Sequence, residues 1–67
     1  MKTFGENLKY YRVLANLSQK KLGDLIGFSA RTMSDWECDN TEPNINCLKK
    51  LIKILNMTYE ELLDYEN

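Results

Sequence analysis

Residues 17–37, LSQKKLGDLIGFSARTMSDWE, decide the fold of this chain. Ser18 and Ser29 each follow an apolar residue, Leu17 and Phe28, and each stands just ahead of a helical pattern, the position in which a serine hydroxyl caps free backbone N–H groups. The first of the two predicted helices begins at Gln19, with Leu22, Leu25 and Ile26 as its apolar positions. Gly27 stops it after barely two turns, because glycine takes up the left-handed conformation that ends a helix at no steric cost. The second runs from Ala30 to about Cys38, with Met33 and Trp36 on its inner face and its other face left polar.

The pattern extends outward on both sides. Upstream, Thr3-Phe4-Gly5-Glu6 has the form of a capping box, and Phe4, Leu8, Tyr11 and Ala15 follow at helical spacing before Asn16, a residue suited to a left-handed helix end. Downstream, Asp39 to Pro43 is a polar loop. Asn44 can cap a further helix on which Cys47, Leu48, Leu51, Ile52 and Leu55 keep the helical period, and Asn56 can close it. Thr58-Tyr59-Glu60-Glu61 is a second capping box, expected to open a short last helix contributing Leu62 and Leu63. No β-type alternation, repeat, linker or low-complexity tract interrupts the series. The expectation is an all-α, five-helix, single domain over residues 1–67.

Composition narrows the function. A chain of 67 residues holds one small core, which favours a binding surface over an enclosed catalytic cavity. There is no histidine and the ten carboxylates are scattered, so the commonest general base and metal ligand is missing and enzyme readings find no support. Cys38 and Cys47 have neither CxxC spacing nor histidine partners, and are read as inert, reduced thiols. The first residues turn polar too early for a secretory signal, and no apolar run approaches the roughly 20 residues of a membrane helix; a cytoplasmic location is expected. No metal, cofactor or small-molecule ligand is expected in so small a core.

Net charge is −1, yet its distribution is uneven. Residues 1–31 carry six Lys/Arg against Glu6 and Asp24, whereas residues 32–67 carry Lys49, Lys50 and Lys53 against eight acids. The chain is therefore polar, with its basic end toward the N-terminal half. Two short helices joined by the turn Ile26-Gly27-Phe28-Ser29 match the architecture that lays its second helix in a DNA major groove, a channel about 12 Å wide. Ala30, Arg31, Ser34 and Asp35 are short or polar enough to meet base edges there. Arginine carries the most information among them, because it binds guanine O6 and N7 bidentately, whereas alanine can only pack on a thymine methyl. Asp35 can accept from a cytosine amino group, or orient Arg31 across one helical turn. Ser29 leaves the first N–H groups of its helix facing outward, and Asn40 and Thr41 can hydrogen-bond a phosphate without positive charge.

The same residues resemble the helix-turn-helix of the Cro and phage-repressor family, also called XRE-like. FGENLKYYR ahead of it, the Pro43 loop, the Leu48–Leu55 helix and the MTYEELL ending are similar to family features too, so nearly the whole chain is covered. The resemblance implies a compact lambda-repressor-like domain that binds double-stranded operator DNA as a small transcriptional regulator, most often a repressor. It further implies Ala30, Arg31, Ser34 and Asp35 against bases, Gln19 on a phosphate, and an ion pair between Arg12 and Glu37 tying the first helix to the third. Helix-turn-helix domains of this kind act as homodimers on palindromic sites; here the contact would be built from helices four and five or from the first helix.

Three departures from the family pattern stand out. Asp39 replaces a frequent glycine and would bring negative charge into the loop that meets phosphate. Lys21 replaces the acid that would complete a capping box with Ser18, and Gly23 replaces alanine at about 1 kcal/mol of helix propensity. Tyr10, Val13 and Leu14 form a second apolar stripe on the first helix, which suits a partner or dimer contact. Tyr59 and Tyr65 are read as surface cover. The competing class is a protein-interaction module, antitoxin-like or a regulatory subunit, on the same scaffold. Lys9, Arg12, Lys20, Lys21 and Arg31 argue for DNA; Asp35, Glu37 and Asp39 argue for a protein.

Overall fold

Each helix starts on a polar side chain that the local sequence supplies. In a computed structural model describing residues 3–58, 60 and 61, these caps open α1 (Phe4–Leu14), α2 (Gln19–Ile26), α3 (Ala30–Glu37) and α4 (Ile45–Leu55). The Thr3 hydroxyl accepts from the Glu6 N–H, completing a capping box with the Glu6 side chain. Ser18 accepts from Lys21 N–H, Ser29 from Thr32 N–H and Asn44 from Cys47 N–H. Each such cap stabilises its helix by about 1 kcal/mol.

All four helices also end in one way. Asn16, Gly27, Asp39 and Asn56 have positive φ, and the next residue donates back to a carbonyl five positions earlier: Leu17 to Arg12, Phe28 to Gly23, Asn40 to Asp35 and Met57 to Ile52, at 2.8–3.2 Å. These closures satisfy carbonyls that a helix end leaves open. After α1, α2 and α4 the donating residue is apolar, with Met57 buried, Leu17 half-buried and Phe28 exposed but set against Trp36; after α3 it is Asn40, and the chain stays at the surface.

One side chain from each helix is fully buried: Leu8, Leu22, Met33 and Leu51. Ile26, Trp36, Cys47, Leu55 and Met57 complete the core, with Phe4, Tyr11, Leu17, Leu48, Ile52 and Ile54 packed around it. Burial of residues this size contributes about 1.5–3 kcal/mol each. The second short helix, α3, packs on both α1 and α2, while α4 packs on α2. Two approaches are so close that only glycine fits. A Cβ on Gly5 would lie 2.3 Å from the Glu37 carbonyl oxygen, and one on Gly23 would lie 2.4 Å from that of Phe28. The helix propensity lost at Gly23 thus permits the tight turn into α3.

Several expectations are corrected. The count of five helices is not matched: four helices, and no strand, stand among the described residues. The second capping box does close, with Thr58 N–H on the Glu61 carboxylate at 2.9 Å and Glu61 N–H on the Thr58 hydroxyl at 3.1 Å. Glu60 and Glu61 follow it as helical residues, too few among the described residues to make a fifth helix. Tyr59, Leu62, Leu63 and Tyr65 lie outside the described residues. Leu25, expected inside, is half exposed, because Leu22 and Ile26 already occupy the inward side of a two-turn helix. Ala15 is the exposed C-cap of α1 rather than part of its buried face.

Candidate nucleic-acid interface

α3 presents two unlike faces. Met33, Trp36 and Glu37 are buried on one side. Arg31, Ser34 and Asp35 fall on the other by the 3.6-residue period, with Ala30 at its edge two turns before Glu37, and none of the four is buried. The Arg31 side chain is 85% exposed, and its Nε lies 3.6 Å from the Asp35 carboxylate. At that distance and exposure the pair holds Arg31 by no more than about 0.5 kcal/mol. The guanidinium is therefore oriented along the helix yet released at little cost.

The inner side is held by a second arginine. Arg12 of α1 donates from Nε to Glu37 at 2.5 Å, from Nη2 to the other carboxylate oxygen at 3.2 Å and from Nη1 to the Leu17 carbonyl at 2.7 Å. Gln19 adds its amide, donating to Glu37 at 3.1 Å. One buried carboxylate thereby joins α1, the start of α2 and the end of α3, its charge matched bidentately. Gln19 is half-buried and spends one amide proton on this network, keeping a second for a further acceptor.

The flanks of α3 are shaped by backbone bonds. The Ser29 hydroxyl is engaged by Thr32 N–H at 3.2 Å and by the Thr32 hydroxyl at 3.1 Å, so what Ser29 offers a ligand is the open N–H start of its helix. At the other end, Asn40 and Thr41 N–H both reach the Asp35 carbonyl, at 2.9 and 3.5 Å, and both residues are exposed. Asp39, between them and α3, does not aim its charge as expected. Its carboxylate accepts from Gly5 N–H at 2.9 Å and from the Thr3 hydroxyl at 2.5 Å, an arrangement that spends the charge on the positive end of α1.

The sequence reading missed several of these placements. Cys47 is buried, as its place on the apolar stripe of α4 implies, but Cys38, four residues beyond Ser34, is an exposed free thiol on the outer side of α3. Asn7 is buried, and its side-chain amide donates to the Glu61 carbonyl at 3.1 Å. The Asn7 contact carries no sequence signal, since its partner lies 54 residues further along the chain. Tyr10, Val13 and Leu14 are 50–64% exposed and line a shallow depression with Glu6 and Lys9, away from the outer face of α3. Among the described residues no group of His, Cys, Asp and Glu could hold a metal ion, and no helix is long and apolar enough to cross a membrane.

Comparison with known proteins matches this geometry to named relatives. The family model described as helix-turn-helix matches residues 8–62. The chain is 35% identical over 63 residues to the HTH-type transcriptional activator BcrR of Enterococcus faecalis, covering 94% of this chain and 31% of that protein. It is 33% identical over 60 residues to an uncharacterised HTH-type transcriptional regulator of Methanocaldococcus jannaschii, of which it covers 91%. It is equally similar to the SPbeta prophage-derived regulator YonR of Bacillus subtilis, of which it covers 56%. The chain thus spans about a third of one relative, half of another and nearly all of the archaeal one. Among solved structures, the P22 c2 repressor in complex with a synthetic operator superposes with a TM-score of 0.89 at 32% identity, covering 98% of this chain and all of that one.

Proposed function

The chain belongs to the helix-turn-helix family of DNA-binding regulators, in its Cro and phage-repressor branch, and from that premise we propose that it reads operator DNA through the outer face of α3. The observation that carries this reading is the contrast across α3: a locked inner face, and an outer face whose one strong base-reading side chain, Arg31, is 85% exposed and weakly held. Arg31 binds a guanine bidentately, Ala30 and Ser34 set the neighbouring bases, and Asp35 aligns Arg31 or accepts from a cytosine. Gln19, the N–H start of α3 at Ser29, Asn40 and Thr41 hold the phosphates. Arg12 and Glu37 keep the reading helix at a fixed angle and touch no DNA.

The chain acts in the cytoplasm as a homodimer on a palindromic site, its two reading helices about 34 Å apart. Control is by repression, through occupancy of the operator; the repressor that superposes over nearly the whole chain supports this sign, while BcrR, named an activator, extends well beyond the matched region. The test is selection from a random duplex pool at low salt, repeated with Arg31→Ala. An enriched palindrome whose preference relaxes at one base of each half-site in the variant is the expected result. No enrichment at low salt overturns the reading and leaves the fold serving a protein partner.

A further inference from the structure

The segment that closes α3 takes a left-handed turn at an aspartate, where two of the other three helices use asparagine and one uses glycine. Aspartate tolerates that conformation, yet glycine would adopt it at no steric cost, so conformation alone does not account for Asp39. Its carboxylate does: one oxygen accepts from Gly5 N–H and the other from the Thr3 hydroxyl, 34 and 36 residues away. The first turn of α1 sits directly on the last carbonyls of α3, since a Cβ on Gly5 would lie 2.3 Å from the Glu37 oxygen and 2.7 Å from that of Trp36. The positive end of one helix therefore meets the negative end of another, and Asp39 bridges them.

We infer that Asp39 is a positioning residue for DNA binding: by latching the loop to the start of α1 through Thr3 and Gly5, it holds Asn40 and Thr41 in the pose that meets a phosphate. The inference rests on the DNA-binding reading above. Asn40 and Thr41 N–H share the Asp35 carbonyl, the same residue that faces Arg31 across the helix. The latch thus sets the outer end of the reading helix as well as the loop. It also lowers the penalty of an acid near DNA, because both carboxylate oxygens are turned onto donors at the positive end of α1, though the charge itself remains.

Two readings give opposite signs. If Asp39 only repels phosphate, its removal tightens DNA binding; if it is a latch, removal weakens binding although a negative charge has gone. The experiment uses Asp39→Gly, which keeps the left-handed turn, Thr3→Ala, which keeps the charge but removes one strand of the latch together with the N-cap of α1, the double variant, and Thr3→Ser, which keeps both, as the conservative control. In the free protein, amide exchange at Asn40 and Thr41 is expected to quicken about tenfold in the first three and to return toward the original rate in Thr3→Ser, the scale of a lost hydrogen bond to a charged group. Affinity for the selected duplex, measured well below the melting temperature, is expected to fall about threefold to tenfold in each single variant. Thr3→Ala adds nothing once Asp39 is glycine, the signature of two residues acting as one unit. Unchanged exchange, or tighter binding by Asp39→Gly, overturns the latch. If exchange responds while the unsubstituted chain selects no duplex, the DNA reading has failed and the positioning role falls with it, whereas the latch stands as a property of the fold.

Discussion

α3 carries an arginine–carboxylate pair on each side, and the two differ in every respect that sets their energy. On the inner side, Arg12 and Glu37 are 11% and 3% exposed and joined bidentately; on the outer side, Arg31 and Asp35 are 85% and 30% exposed and stand 3.6 Å apart. A buried pair gains little over an apolar substitute, but losing one partner strands a charge away from water. An exposed pair is screened and gives almost nothing. One helix therefore anchors itself with one ion pair and keeps the other free to be exchanged for a ligand.

The largest effect is expected from Glu37→Leu, which leaves the Arg12 guanidinium buried with a single carbonyl for company. The loss is about 3–5 kcal/mol, much of the stability of a domain this small, and urea unfolding followed by circular dichroism would measure it. A loss below about 1 kcal/mol would erase the distinction between the two faces. Gly5→Ala tests the seating of α1 on the same inner end of α3. Its new methyl meets backbone at 2.3 Å, so it is expected to destabilise by about 1–3 kcal/mol despite the better helix propensity of alanine, lowering the melting temperature by several degrees.

On the outer face the balance inverts. Arg31→Ala is expected to leave stability within about 0.5 kcal/mol while discrimination at one base position falls by about 1–3 kcal/mol; a melting curve and a competition binding series separate the two. The smallest effect is Asp35→Asn, which removes the screened pair and changes stability by about 0.3–0.5 kcal/mol. A larger loss of stability from either variant would mean that the outer pair is structural after all.

How far these features were legible follows from the distance between partners. Thr3, Ser18, Ser29 and Asn44 announce helix starts because each cap bonds an N–H only three residues on. Asn16, Gly27 and Asn56 announce helix ends for the same reason. Asp39 was read as a charge facing phosphate because its partners, Thr3 and Gly5, lie at the opposite end of the chain. Leu25 was read as core because periodicity on a two-turn helix cannot rank three apolar residues; contact with α3 and α4 selects Leu22 and Ile26. The fifth helix was inferred from a capping box, which is a local signal for a start and says nothing of how far the helix runs.

The sequence by itself determined the all-α class, the starts of the four helices and the closing residues of three, the two-helix unit at residues 18–37 and the polar character of one side of α3. Hydrogen bonds between near neighbours and the helical period write these directly into the order of residues. Family resemblance implies the pairing of Arg12 with Glu37, and the fold sets its geometry. Only the tertiary structure decided that Gln19 joins that pair, that Asp39 bridges α3 to α1, that Gly5 and Gly23 are required by contact, and which arginine is locked and which is free. Each depends on groups brought together across long stretches of chain and on the access of water to them. Burial sets what a charge is worth, and burial is a property of the folded molecule.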